Sequence, residues 1–154
     1  MSTFLNISLS IFVKKNIMKM KRMLFGLSLI LVTSLSFAQK DAHQLSTHIL
    51  DISEGAPAAN VSIKLEKRNN KTESWEFVSE KLTEENGRVN DFLPAGKNNN
   101  GIYRFTFFVN EYYKEKGKET FYPFIEVVFE IKDEKHYHVP ITLSAFGYST
   151  YRGS

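Results

Sequence analysis

The chain contains four histidines, the side chains best suited to moving protons near neutral pH. By residue type alone, His43 is a solvated histidine, and His48 is a surface or core histidine bonded to backbone. His136 and His138 flank Tyr137, so on a strand they share one face. Two imidazoles could ligate a metal. Two ligands do not make a site, however, and the spacing supplies no third, so metal binding is disfavoured.

Two further features carry charge or hydroxyl groups. Arg88 follows Asn86-Gly87, a hairpin-type turn. Its planar guanidinium could bind a flat, oxygen-rich anionic heterocycle through paired hydrogen bonds, although a solvated arginine at a turn is the plainer interpretation. The C-terminal run 148–154 reads Tyr-Ser-Thr-Tyr-Arg-Gly-Ser, which is rich in hydroxyl groups. The absence of cysteine excludes a thiol nucleophile and a disulfide scaffold.

Length and composition indicate one globular domain around these residues. The chain has 154 residues, of which 42% are hydrophobic and 14% aromatic. Five of its 20 Lys and Arg residues lie before residue 39, which leaves 15 basic against 17 acidic side chains in residues 39–154. That net charge of −2 does not support a nucleic-acid-binding surface.

Residues 1–38 have the pattern of a targeting segment. From Met18 the sequence Met-Lys-Met-Lys-Arg supplies positive charge, and residues 24–32 form a short apolar stretch. Ser36-Phe37-Ala38 then places small residues before Gln39, which predicts cleavage there. The apolar stretch is shorter than the roughly 20 residues of a membrane span. A cleaved signal peptide is therefore favoured over a membrane anchor.

The segment that precedes Met18 has no evident role. We interpret residues 1–17 as a possible extension from an upstream start codon. Cleavage would leave residues 39–154 as the working domain. We expect this domain to be periplasmic or secreted, without membrane contact once the signal is removed.

The mature region has the pattern of a β protein. Apolar and polar residues alternate with period two in four stretches, near residues 61–66, 75–78, 103–109 and 125–131. Turn-forming residues separate them, and residues 110–117 instead favour one short helix, with Asn110 as its N-cap. Closely spaced strands with intervening turns favour an antiparallel sandwich.

Two signatures give the chain a resemblance to a known family. Residues 45–51 read Leu-Ser-Thr-His-Ile-Leu-Asp, followed by Gly-Ala-Pro-Ala at 55–58. Residues 136–144 read His-Tyr-His-Val-Pro-Ile-Thr-Leu-Ser, and the chain closes with Tyr-Arg-Gly-Ser. Over residues 43–154 the chain resembles the transthyretin-like 5-hydroxyisourate hydrolases. The Tyr-Arg-Gly-Ser ending is the most specific part, since the thyroid-hormone-carrier branch of the fold lacks it.

The resemblance implies a fold, an assembly and an activity. The fold would be an all-β transthyretin-like sandwich of two four-stranded sheets with one short helix. The assembly would be a homotetramer with active sites at the dimer–dimer interface. The activity would be hydrolysis of 5-hydroxyisourate, the unstable product of urate oxidation, to 2-oxo-4-hydroxy-4-carboxy-5-ureidoimidazoline in purine catabolism. No metal or organic cofactor is implied.

Carried over position by position, the family's active-site residues fall on His48, Arg88, His138, Tyr151 and Ser154. The resemblance implies that His48 and His138 handle protons, in an order that stays open. Arg88 would stabilise charge that develops on a carbonyl oxygen. Tyr151 and Ser154 would offer hydrogen-bond donors to the substrate, and Ser154 could also orient water.

Two of the four histidines have no role in this implied site, and two other functions fit part of the sequence. The resemblance leaves His43 and His136 as ordinary histidines. A non-catalytic periplasmic carrier of small aromatic ligands could use the same fold, because fold alone does not fix function. An immunoglobulin-like adhesion domain would explain the strands and the signal peptide, but neither signature.

Overall fold

A computed structural model describes residues 43–153, which form ten strands and one short helix. The strands are β1 (His43–Asp51), β2 (Ala56–Pro57), β3 (Ser62–Arg68), β4 (Trp75–Leu82), β5 (Arg88–Pro94), β6 (Gly101–Phe107), β7 (Ile125–Ile131), β8 (Tyr137–His138), β9 (Ile141–Ser144) and β10 (Gly147–Thr150). Helix α1 (Val109–Glu115) connects β6 to β7. The expected signal peptide 1–38, its cleavage site and Ser154 lie outside the described residues.

One sheet is four-stranded and antiparallel throughout, in the order β4-β3-β6-β7. These are the four strands that the alternation predicts. Ile63 and Leu65 on β3 lie opposite Phe107 and Phe105 on β6, and all four side chains are buried. Residues directly opposite on neighbouring strands share a face, so this face of the sheet covers the core.

The other sheet is organised around β1, which is nine residues long. The first part of β1 pairs with β5 on one side and with β8 on the other. Its second part pairs with β2 and β9, and β10 pairs with the outer side of β9. Because β8 and β9 run parallel to β1, residues far apart in sequence become neighbours of this strand.

The all-β sandwich with one short helix is confirmed, with two differences in detail. The second sheet contains six strands instead of four, since β2 and β8 are separate pieces of two residues each. The helix begins at Val109 with Phe108 as its N-cap, so Asn110 does not cap it. Gly117, at a φ of +67°, follows the helix and stops it as expected. Within residues 43–153, no helix is long and apolar enough to cross a membrane.

The core lies between the two sheets. Leu45 and Ile49 of β1 are fully buried, and the rings of Phe92 on β5 and Phe105 on β6 lie 4.7 Å apart between their centroids. Each such side chain contributes about 1.5–3 kcal/mol on burial. Alternate residues of β1 are therefore held firmly against the core, and the residues between them occupy the opposite face of the same strand.

Candidate active site

His48 and Arg88 lie opposite each other in the register of β1 and β5. Gly87 fixes this register, because its carbonyl accepts a hydrogen bond of 2.9 Å from the backbone N–H of Ile49. Its φ is +73°, and a Cβ atom there would lie 2.6 Å from the Ile49 carbonyl oxygen. The glycine of the predicted turn thus allows β5 to begin directly beside His48.

The imidazole of His48 is half-buried, and one of its two ring nitrogens has no hydrogen-bond partner among residues 43–153. Its Nε2 atom is inaccessible and has no hydrogen-bond partner among residues 43–153. Burial lowers the pKa of His48, and the positive charge of Arg88 lowers it further, whereas a backbone hydrogen bond at Asn86 acts in the opposite direction. In a neutral ring this unpartnered nitrogen carries a free lone pair, the group that a general base needs, and a group that covers it must move before water or a ligand reaches it.

Arg88 presents an exposed side chain next to this histidine. Its backbone N–H donates to Asn86 Oδ1 at 2.9 Å, which closes the turn. In the part of the chain that the structure describes, none of the ion pairs involves its guanidinium. No described carboxylate thus occupies this guanidinium, whose five N–H donors suit an anionic or carbonyl-rich ligand.

His138 joins the same face from the other side of β1. It lies opposite Ser46 in the parallel register of β1 and β8. Ser46 and His48 are two residues apart on one strand and share a face. Burial lowers the pKa of His138, and the charge of Arg88 lowers it further, followed by smaller effects of His136 and His48. The structure therefore brings together three of the five residues named from the sequence: His48, Arg88 and His138.

The C-terminal tail lies against His138. The backbone N–H of Gly153 donates to the carbonyl of His138 at 2.9 Å, and the Arg152 guanidinium carbon lies 4.6 Å from the centre of the Tyr137 ring. A Cβ atom at Gly153 would be 2.6 Å from Cδ2 of His138. Only glycine permits this close approach of the tail to the ring.

Tyr151 lines a cavity that does not include the two histidines or the arginine. Its side chain is 60% exposed and lines a cavity of about 400 Å³ together with Arg152 and residues of β7. None of His48, Arg88 and His138 lines that cavity. A role for Tyr151 in the site stays a prediction, as does one for Ser154, which lies outside the described residues.

Two residues next to His138 received no role from the sequence. Ser46 Oγ lies 2.8 Å from His136 Nε2 and 2.8 Å from His138 Nδ1. The two histidines do share one face, as their spacing predicts, and a buried serine joins them. Among residues 43–153, no group of three or more His, Asp or Glu side chains is placed to hold a metal ion.

The sandwich and this arrangement of two histidines, an arginine and a C-terminal glycine define a transthyretin-like protein. The model of the HIUase/Transthyretin family matches residues 45–153. The chain is 44% identical over 131 residues to a probable 5-hydroxyisourate hydrolase of Caenorhabditis elegans, covering 84% of this chain and 95% of the relative. The chain belongs to the HIUase/transthyretin family.

Solved structures from both branches of the family are similar to this fold. A 5-hydroxyisourate hydrolase of Klebsiella pneumoniae matches with a TM-score of 0.63 and 33% identity, covering 73% of this chain and 99% of that structure. A transthyretin of Sparus aurata matches with a TM-score of 0.67 and 27% identity, covering 71% of this chain and 96% of that structure. The backbone alone therefore does not separate a hydrolase from a transthyretin, and the side chains of the site must do so.

Proposed function

We propose that this chain hydrolyses 5-hydroxyisourate to 2-oxo-4-hydroxy-4-carboxy-5-ureidoimidazoline in urate catabolism. Relatives from Caenorhabditis elegans, mouse and Salmonella carry the name 5-hydroxyisourate hydrolase, at 36–44% identity. The observation that carries the proposal is the pairing of His48 with Arg88, where neither the Nε2 atom of the histidine has a hydrogen-bond partner nor the guanidinium of the arginine an ion-pair partner among residues 43–153. A carrier without catalysis would not need a neutral imidazole beside an open cation.

The chemistry follows from what each side chain can do. The oxygen of water adds to a ring carbonyl carbon, and the proton that it loses passes to an imidazole of His48 or His138. Arg88 stabilises the negative charge that develops on the carbonyl oxygen, since its guanidinium stays protonated throughout. The carbon–nitrogen bond then breaks, and the imidazolium returns the proton to the departing ring nitrogen.

A coupled reaction separates the hydrolase from the carrier. Urate oxidase generates 5-hydroxyisourate, and its absorbance then decays spontaneously. Purified protein should accelerate this decay in proportion to its concentration. A carrier would leave the decay unchanged or slow it by protecting the bound molecule, and an adhesion domain would have no effect.

We expect the rate to fall on the acid side of neutrality, because protonation removes the base. The pKa values of both His48 and His138 are lowered from the ordinary histidine value of about 6.5 by burial and by Arg88. A lowered pKa means that the proton binds only at lower pH, so activity should persist at pH 6.5 and decline below it. The profile of kcat/KM against pH checks this. A half-loss of activity above pH 6.5 would contradict the assignment of these histidines.

The working form is proposed to be a homotetramer. Several large apolar side chains are exposed on the chain, including Phe121 at 73%, Phe146 at 74% and Tyr148 at 42%. Tyr122 contacts Tyr148 edge to face with 5.3 Å between ring centroids, so the loop before β7 and strand β10 contribute to one apolar surface. Contiguous apolar surface of this kind marks an interaction site. Sedimentation of the purified protein would measure the assembly.

The protein is also proposed to act in the periplasm or as a secreted protein after cleavage before Gln39. Support comes from the small residues of Ser36-Phe37-Ala38 after a short apolar stretch. N-terminal sequencing of protein from the native host should therefore begin at Gln39. Recovery of residues 24–37 in a membrane fraction would contradict this proposal.

A further inference from the structure

A chain of three hydrogen bonds runs from the backbone of β1 to His138. The first joins His136 Nδ1 to the carbonyl oxygen of His43 at 3.0 Å. The second joins His136 Nε2 to Ser46 Oγ at 2.8 Å, and the third joins Ser46 Oγ to His138 Nδ1 at 2.8 Å. Of the residues in this hydrogen-bond chain, the proposed mechanism uses only His138.

When both histidines are neutral, the carbonyl at one end of this hydrogen-bond chain fixes the position of every proton along it. A backbone carbonyl only accepts hydrogen bonds, so His136 Nδ1 must carry a proton. In a neutral imidazole the other nitrogen then has a lone pair, and His136 Nε2 must accept the single proton of the Ser46 hydroxyl. Ser46 Oγ has no proton left to donate to His138, so His138 Nδ1 must donate to Ser46.

We infer that Ser46 and His136 are positioning residues that hold neutral His138 in the tautomer protonated at Nδ1. The lone pair of His138 is then on Nε2, which makes no hydrogen bond to the described residues. The inference rests on the proposed function and deepens it, since it assigns to His138 the removal of the proton from the attacking water.

Burial and strand pairing hold the Ser46 hydroxyl in these hydrogen bonds. Its side chain is only 4% exposed, so bulk water does not compete for its hydroxyl. The parallel register sets Ser46 opposite His138, and Val139 donates its backbone N–H to the carbonyl of Ser46 at 3.1 Å. When His138 Nε2 takes a proton from water, Nδ1 keeps its own proton and its hydrogen bond to Ser46. Proton transfer to His138 therefore requires no rearrangement of these three hydrogen bonds.

Two variants of one residue test the inference. In His136→Gln the amide oxygen can accept the Ser46 proton near the former position of Nε2. In His136→Leu, which has a similar volume, the acceptor is gone, and the Ser46 hydroxyl becomes free to donate to His138 Nδ1. His138 would then carry its proton on Nε2, where a general base needs its lone pair. A wrong tautomer at a proton-transferring histidine lowers kcat.

The measurement is long-range ¹H–¹⁵N correlation NMR of the histidine rings in the full chain, which distinguishes protonated from bare ring nitrogens, with His138→Asn to assign the signals. At a pH where His138 is neutral, we expect Nδ1–H in the wild type and in His136→Gln, and a shift towards Nε2–H in His136→Leu. The same Leu variant should lose on the order of tenfold or more in kcat with little change in KM.

The outcomes separate this inference from the proposed function. The wild-type spectrum needs no substrate, and its assignment uses only His138→Asn, so it decides the tautomer even if the His136→Leu variant fails to fold. Nε2–H in wild-type His138, or one tautomer shared by the Gln and Leu variants, would overturn the inference while leaving any measured hydrolysis standing. The expected tautomer in a protein without hydrolysis would instead refute the proposed function.

Discussion

His48→Ala and Arg88→Ala should each lower the rate of 5-hydroxyisourate hydrolysis by about 10²-fold or more. This is the usual order for the loss of a proton-transferring histidine or of a donor to a developing oxyanion. The fold should survive, because Arg88 is exposed, is free of ion pairs among residues 43–153, and leaves the Gly87 turn in place when truncated. Steady-state kinetics and thermal unfolding of the two variants provide the measurement.

Arg68→Ala is a matched control for the arginine. Arg68 lies at the end of β3 in the other sheet and pairs with the largely exposed Glu73 at 2.8 Å, so its loss should leave activity unchanged. Arg88→Lys keeps the charge without the planar fork of donors, and we expect it to recover only part of the rate. Full activity of His48→Ala with a folded protein would mean that the site has been assigned wrongly.

Ending the chain at Thr150 should abolish catalysis with little loss of thermal stability. Tyr151 and Arg152 are exposed and contribute little to the core. Removal of Gly153 would uncover one side of the His138 ring and delete the hydrogen bond from its N–H to the His138 carbonyl. Turnover and melting temperature of the truncated protein, compared with those of the full chain, test this directly.

Gly153→Ala provides a finer version of the same experiment. It keeps every functional group of the tail but places a methyl group where the Cδ2 atom of His138 lies 2.6 Å away, so tail or ring must move. We expect a clear loss of rate.

A C-terminal tag should lower the activity where a tag before Gln39 does not, with both proteins at the same oligomeric size. An active chain ending at Thr150 would show that the tail is dispensable.

The sequence predicts the parts of the fold that local patterns determine. Strands β3, β4, β6 and β7 each bury one face, so their alternation is visible in the amino-acid sequence. Strands β8 and β9 are too short to show a period, and they form by parallel pairing with β1, more than 90 positions earlier in the chain. The N-terminus of the helix was wrongly predicted at Asn110, because no side-chain cap defines it in the structure.

The residues of the candidate site also differ in whether the sequence predicts them. The family resemblance points to His48, Arg88 and His138, and the strand register explains why these three meet. Ser46 and His136 had no local signal beyond lying two residues before His48 and His138. Their connection depends on the pairing of β1 with β8, which a single sequence does not reveal. Period-two spacing of Ser46 and His48 on a predicted strand could have placed the serine on the same face as His48.

The central claim is that this chain catalyses ring opening of 5-hydroxyisourate at the face formed by His48, Arg88 and His138. The most direct measurement follows substrate and product together by NMR, with freshly generated 5-hydroxyisourate in large excess over the protein, and compares wild type, the His48→Ala variant and a protein-free blank. We predict that wild type converts many equivalents to 2-oxo-4-hydroxy-4-carboxy-5-ureidoimidazoline far faster than the blank, and that His48→Ala is slower by about two orders of magnitude. A wild-type rate equal to that of the blank would contradict the claim.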